Sequence, residues 1–125
     1  MLIRAEVFAK VGFMDERYFV YGDDTVFVCR AREAAFCLRY TPATVLFHKV
    51  STLTGGTKSD FTIWWSTRAR GLFIAKHFAG LEGSMARLMF RMYMLTRMVA
   101  GSDSLEIYKK RVMAFDEGIE VIEGY

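Results

Sequence analysis

Asp23 and Asp24 stand side by side after Gly22, at the head of TVFVCRAREAA, a run that reads as helix. Adjacent carboxylates repel each other, so the pair needs a reason. One reason is local. A carboxylate at a helix start accepts bonds from backbone N–H groups that lack a partner inside the helix, and such a cap is worth about 1 kcal/mol. The other reason is chemical. The positive end of a helix keeps a carboxylate ionised, and an ionised carboxylate can take the proton from a sugar hydroxyl as that hydroxyl attacks. One aspartate is enough for a cap; the second is either solvated or at work.

Three further groups of residues can do chemistry. His48 falls at the end of an apolar run, immediately before the turn-rich segment STLTGGTKSD. A histidine at a strand end beside a loop is placed to handle a ligand or a metal, while a lone histidine in a core serves packing alone. Trp64 and Trp65 precede Arg68 and Arg70. Guanidinium groups match phosphate oxygens bidentately, so a diphosphate clamp is one reading and a solvated basic helix face the other. The two arginines are two positions apart and diverge on a helix, which leaves room for one of them to face a site. Finally, SMARLMFRMYMLTRMVAG is apolar nearly all round, with Arg87, Arg91 and Arg97 covering roughly one third of its circumference. It is either a core helix or a helix lying on anionic lipid; it is too short and too charged to span a bilayer.

The elements that must position these groups divide into a mixed first half and a helical second half. RAEVFAKVG reads as a short helix stopped by Gly12, and FMDERYFVYGDD as an aromatic loop. MLI, CLRY and TVLFHKV are rich in strand formers, the last two separated by Pro42 and Ala43. FTIWWSTRARGLFIAKHF reads as a helix that Gly71 weakens. In the last helix Leu105, Tyr108, Val112, Phe115, Ile119 and Ile122 share one face, and Asp103 with Glu106 forms a capping-box pattern at its start. Three short strands leave exposed sheet edges, so the expected fold class is α/β (α+β for the piece alone), the later part of a larger fold.

The 125 residues fit one domain, and 53% hydrophobic and 15% aromatic content supports a core. The net charge is a modest +3, but between Asp60 and Asp103 the only acid is Glu82 against six basic residues, a distribution that favours anions. Nucleic acid is the least supported anion, because no nucleic-acid-binding motif is present. Cys29 and Cys37 belong to no CxxC or Cys/His cluster and read as two buried, reduced thiols of a reducing compartment. The N-terminus lacks the long apolar run of a secretory signal.

Taken together, IRAEVFAKVGFMDERYF, GDDTVFVCRAR, RYTPATVLFHKVSTLTGG and WWSTRARGLFIAKHF resemble the C-terminal half of the catalytic domain of bacterial family-2 glycosyltransferases, the rhamnosyltransferase-like branch in particular. The resemblance implies a GT-A fold over residues 1–80, its acceptor side, followed by a helical segment over 81–125. It implies an inverting transfer of a sugar from a nucleotide-sugar donor to a saccharide or lipid-linked acceptor in cell-surface polysaccharide or glycolipid synthesis. Asp24 matches the general base and Asp23 its acidic neighbour; Trp64, Arg68 and Arg70 fall on the substrate-binding helix; His48 matches a histidine near the diphosphate or a divalent metal, Mg or Mn. Asp23 replaces the usual Glu, Phe13 a glycine and Ala69 an asparagine. The family's nucleotide-binding half and its DxD motif are absent from these residues, so the expectation is a catalytically silent, self-associating fragment. It would be cytoplasmic, extending to a peripheral place on the inner face of an anionic membrane. The reading from another class is a non-catalytic helical module that binds a membrane surface or a partner protein.

Overall fold

The structure, a computed structural model, describes residues 1–43, 45, 47 and 55–124. Among them are five helices and no strand, in two compact units, Met1–Val50 and Ser51–Tyr125.

The first unit is a pair of short helices. α1 (Ala5–Val11) stops at Gly12, whose φ of 77° lies in the left-handed region and whose N–H donates to the Phe8 carbonyl. α2 (Asp23–Glu33) starts from Gly22, at φ 86°. Val7, Phe27 and Ala31 form the buried centre between them, with Ile3, Phe8, Val11, Met14 and Phe36 packed around it. The Arg30 guanidinium ties the helices together by donating to the carbonyls of Val11 and Phe13. Tyr18, in the connecting loop, is 5% exposed, and its hydroxyl has no hydrogen-bond partner among the described residues.

The second unit is built from α3 (Asp60–His77), α4 (Gly80–Val99) and α5 (Leu105–Glu123). Ser59 caps α3 by accepting from the Thr62 N–H, and Ser104 caps α5 by accepting from the Ile107 N–H. α3 and α5 cross at two glycines. A Cβ on Gly71 would strike the carbonyl oxygen of Phe115, and a Cβ on Gly118 would strike the carbonyl oxygen of Arg68. Each helix thus presses its backbone into the notch left by the other's missing side chain. Around the crossing Leu72, Ala114 and Phe115 are fully buried, and burial of side chains the size of Leu or Phe contributes about 1.5–3 kcal/mol each. α4 closes the unit with Met94 and Phe90; the Phe90 ring lies 4.8 Å from that of Phe115.

Several expectations are corrected. An α/β or α+β class and a GT-A fragment both require strands, and the described residues are helical or irregular. MLI and CLRY are irregular; of TVLFHKV only Val45 and Phe47 are described, and the rest lies outside the described residues. The resemblance to family-2 glycosyltransferases therefore does not hold at the level of fold. The physical reason lies in what strand propensity measures: the fit of branched and aromatic side chains to a half-buried pleated surface. Leu38, Tyr40, Val45 and Phe47 are 54–95% exposed, and no neighbouring strand among the described residues supplies that surface. Cys29 is half-buried and Cys37 exposed, both as free thiols rather than two buried ones. Asp103 does not cap the last helix. Ser104 does, and Asp103 is buried in an ion-pair network instead.

Candidate functional site

Asp23 and Asp24 are the first two residues of α2, after the cap position held by Gly22. The Asp24 Oδ1 accepts from the Thr25 N–H at 2.6 Å and from the Thr25 hydroxyl at 3.3 Å. Asp24 is exposed and Asp23 half-buried. The pair therefore sits where negative charge opposes the helix dipole, and Asp24 satisfies a first-turn N–H.

His48 lies outside the described residues. Among the described residues no group of three or more His, Cys, Asp or Glu side chains comes together to hold a metal ion.

Trp64, Arg68 and Arg70 all lie on α3, and the structure separates their roles. Trp64 is half-buried. The Arg68 Nε donates to Glu117 Oε1 at 2.7 Å, and its guanidinium lies 5.3 Å from the Trp65 ring centre, so this arginine binds α3 to α5. Arg70 is exposed, with its guanidinium 5.7 Å from the Phe90 ring centre. Arg70 lines a cleft of about 320 Å³ within the second unit.

The centre of that cleft is a network the sequence reading did not assign. Asp103 is 7% exposed. It accepts from Arg97 at both oxygens, at 2.7 and 3.0 Å, and from the Arg111 Nε at 3.0 Å. Arg111 also donates to the Thr67 hydroxyl at 3.2 Å. One carboxylate thus fastens the end of α4 and the body of α5, and Arg111 extends the tie to α3. Hydrogen bonds from Arg97, followed by those from Arg111, overcome burial and hold the Asp103 carboxyl down at about 2. The same bonds raise Arg97 above its ordinary range. One sequence signal was available: Asp103 ends a long segment whose only other acid is Glu82.

α4 presents two faces. The inner one carries Phe90 and Met94 to the core. The arginines expected to face lipid turn toward acids instead: Arg87 pairs with Glu123 at 2.7 Å, Arg91 with Asp116 at 2.6 Å and Arg97 with Asp103. On the outer face Leu81, Met85, Leu88, Met92, Leu95 and Val99 follow one another at spacings of four, three, four, three and four. Five of the six are 51–76% exposed, and Met89 beside them is 69% exposed. No helix among the described residues is long and apolar enough to cross a membrane.

Neither a protein-family model, nor a curated protein, nor a solved structure matches the chain.

Proposed function

We propose that the chain is a non-catalytic helical module that pairs with a second copy of itself through the outer face of α4. The observation that carries this reading is the alternation of four and three along the exposed apolar seam. That spacing is the a/d pattern by which one α-helix seats its side chains in the holes of another. A lipid surface needs no such register. The reading also draws support from area. Six exposed side chains at on the order of 100 Å² apiece give about 1,200 Å² over two copies, at the lower edge of the range of stable interfaces. A two-fold pairing of the two seams closes without leaving a free seam.

The membrane alternative loses its main argument because Arg87, Arg91 and Arg97 are ion-paired within the unit. Sedimentation of the full chain over a range of concentrations tests the proposal. The expected result is a monomer–dimer equilibrium that Leu88→Glu shifts to monomer, with helicity by circular dichroism unchanged because Leu88 is exposed. A concentration-independent monomer sinks the idea. So does a dimer indifferent to Leu88→Glu, or a monomer that floats with phosphatidylserine vesicles through the same face.

A further inference from the structure

We propose that the cleft between α3, α4 and α5 binds a phosphoryl group carried by a small molecule. Four cations line it: Lys58, Arg70, Arg97 and Arg111. One carboxylate, Asp103, opposes them. Arg97 and Arg111 share that carboxylate, so their positions are fixed before any ligand arrives. The Arg111 Nη2 makes no hydrogen bond among the described residues, and so remains a donor. Arg70 and Lys58 form no ion pair among the described residues; Arg70 is held only by the Phe90 ring.

The lining therefore carries an excess of three positive charges around a carboxylate that stays ionised at any physiological pH. Such a cleft repels cations and attracts anions. Its chemistry selects among anions. Guanidinium forks offer paired N–H donors that match phosphoryl oxygens, and the Ser66 and Ser102 hydroxyls on the lining supply further donors. A volume of about 320 Å³ is at the small end of ligand pockets, suited to one or two phosphoryl groups with little attached. This inference stands apart from the pairing of α4, because no seam residue lines the cleft.

Calorimetric titration of the full chain with inorganic phosphate and with pyrophosphate, at constant ionic strength, tests the site. Saturable binding is expected, with pyrophosphate the tighter ligand. Arg70→Gln and Lys58→Gln should each weaken it about tenfold; Lys58→Gln should leave the melting temperature without ligand unchanged, and Arg70→Gln should lower it only slightly, because it gives up the contact with the Phe90 ring. Arg32→Gln removes the same charge from the other unit and should leave binding intact. A flotation arm with vesicles of phosphatidic acid against phosphatidylcholine separates the two sources of the group. Capture by phosphatidic acid that Arg70→Gln abolishes assigns it to a lipid headgroup, and saturation by free pyrophosphate alone assigns it to a soluble molecule. Lack of binding in both arms overturns the proposal. Equal weakening by Arg32→Gln also overturns it, because only net charge would then be at work.

Discussion

Residues 1–50 and 51–125 use similar chemistry and reach different kinds of stability. The first unit packs one side of two short helices and leaves Leu2, Phe13, Phe19, Leu38 and Tyr40 largely exposed. The buried Tyr18 has no hydrogen-bond partner for its hydroxyl among the described residues. The second unit brings two long helices together at backbone distance and buries its acid, Asp103, inside two guanidinium groups. One unit is held by apolar contact around an unpaired polar group, and the other by close approach plus a satisfied charge. The two should therefore fail under different stresses. Both tryptophans, Trp64 and Trp65, lie in α3, so their fluorescence reports the second unit alone. Hydrogen exchange along α1 and α2 reports the first.

The largest effect is expected at the glycine crossing. Gly71→Ala or Gly118→Ala drives a methyl group into a backbone carbonyl, which cannot swing aside as a side-chain tip can. Each should cost about 3 kcal/mol or more, read as a lower urea midpoint of tryptophan fluorescence. Exchange in α1 and α2 should stay as it was. Because both substitutions push the same two helices apart, the double variant should cost less than the sum of the singles. Additive costs, or wild-type midpoints, would mean that the crossing is looser than described.

Acid separates the units next. The Asp103 carboxyl is held at about 2 against an ordinary 3.8. A lowered carboxyl gives stability that is complete above about pH 4 and is lost as pH falls toward 2. At 1.36 kcal/mol per pKa unit this is on the order of 2 kcal/mol. Asp103→Asn should remove that dependence from the tryptophan-detected transition and lower stability at pH 7, since two arginines then lose their counter-charge. If Asp103→Asn unfolded in acid along the wild-type profile, another carboxylate would be responsible.

Much of this second unit could be read from the residues, and the reason is locality. Helix periodicity and the turn residues around Gly101 act over a few positions, so the pattern predicts α3 and α5 close to their observed bounds, and α4 from Ser84, four residues inside its observed start. What escaped was every tie that spans the chain. Gly71 reads locally as a weak point in a helix, and only its meeting with Phe115 shows it to be the crossing. Asp103 reads locally as a cap because Arg97 and Arg111 reach it from different helices. The arginines of α4 read as a free stripe because their acids lie on α5. The outer seam of α4 is a signal present in the sequence itself, in its four-three spacing. In the first unit, strand formers without a strand to pair with misled in the other direction.

Base should act on the first unit. Burial, then the nearby charge of Asp15, raises the Tyr18 phenol from 10.0 to about 12. The fold prefers the neutral phenol, so this contribution is complete below pH 10 and is lost as pH rises through 12. Protection of α1 and α2 should fall over that window. Tyr18→Phe should flatten the fall and cost little at pH 7, because it removes a hydroxyl that has no partner among the described residues. A loss of 2 kcal/mol in Tyr18→Phe at neutral pH would reveal a partner for that hydroxyl.

The smallest effect is expected where the sequence drew attention first. Asp23 and Asp24 occupy the first turn of α2, where a negative charge facing the helix dipole is worth about 0.3–1 kcal/mol. Asp24→Asn keeps an oxygen for the Thr25 N–H and loses only the charge. It should cost a few tenths of a kcal/mol, visible as slightly faster exchange at the start of α2 and further reduced by salt, which screens the dipole term. Asp23→Asn should behave alike. The second unit should not respond to either, by tryptophan fluorescence. A cost near 3 kcal/mol, or one insensitive to salt, would show that these carboxylates hold something more than their own helix.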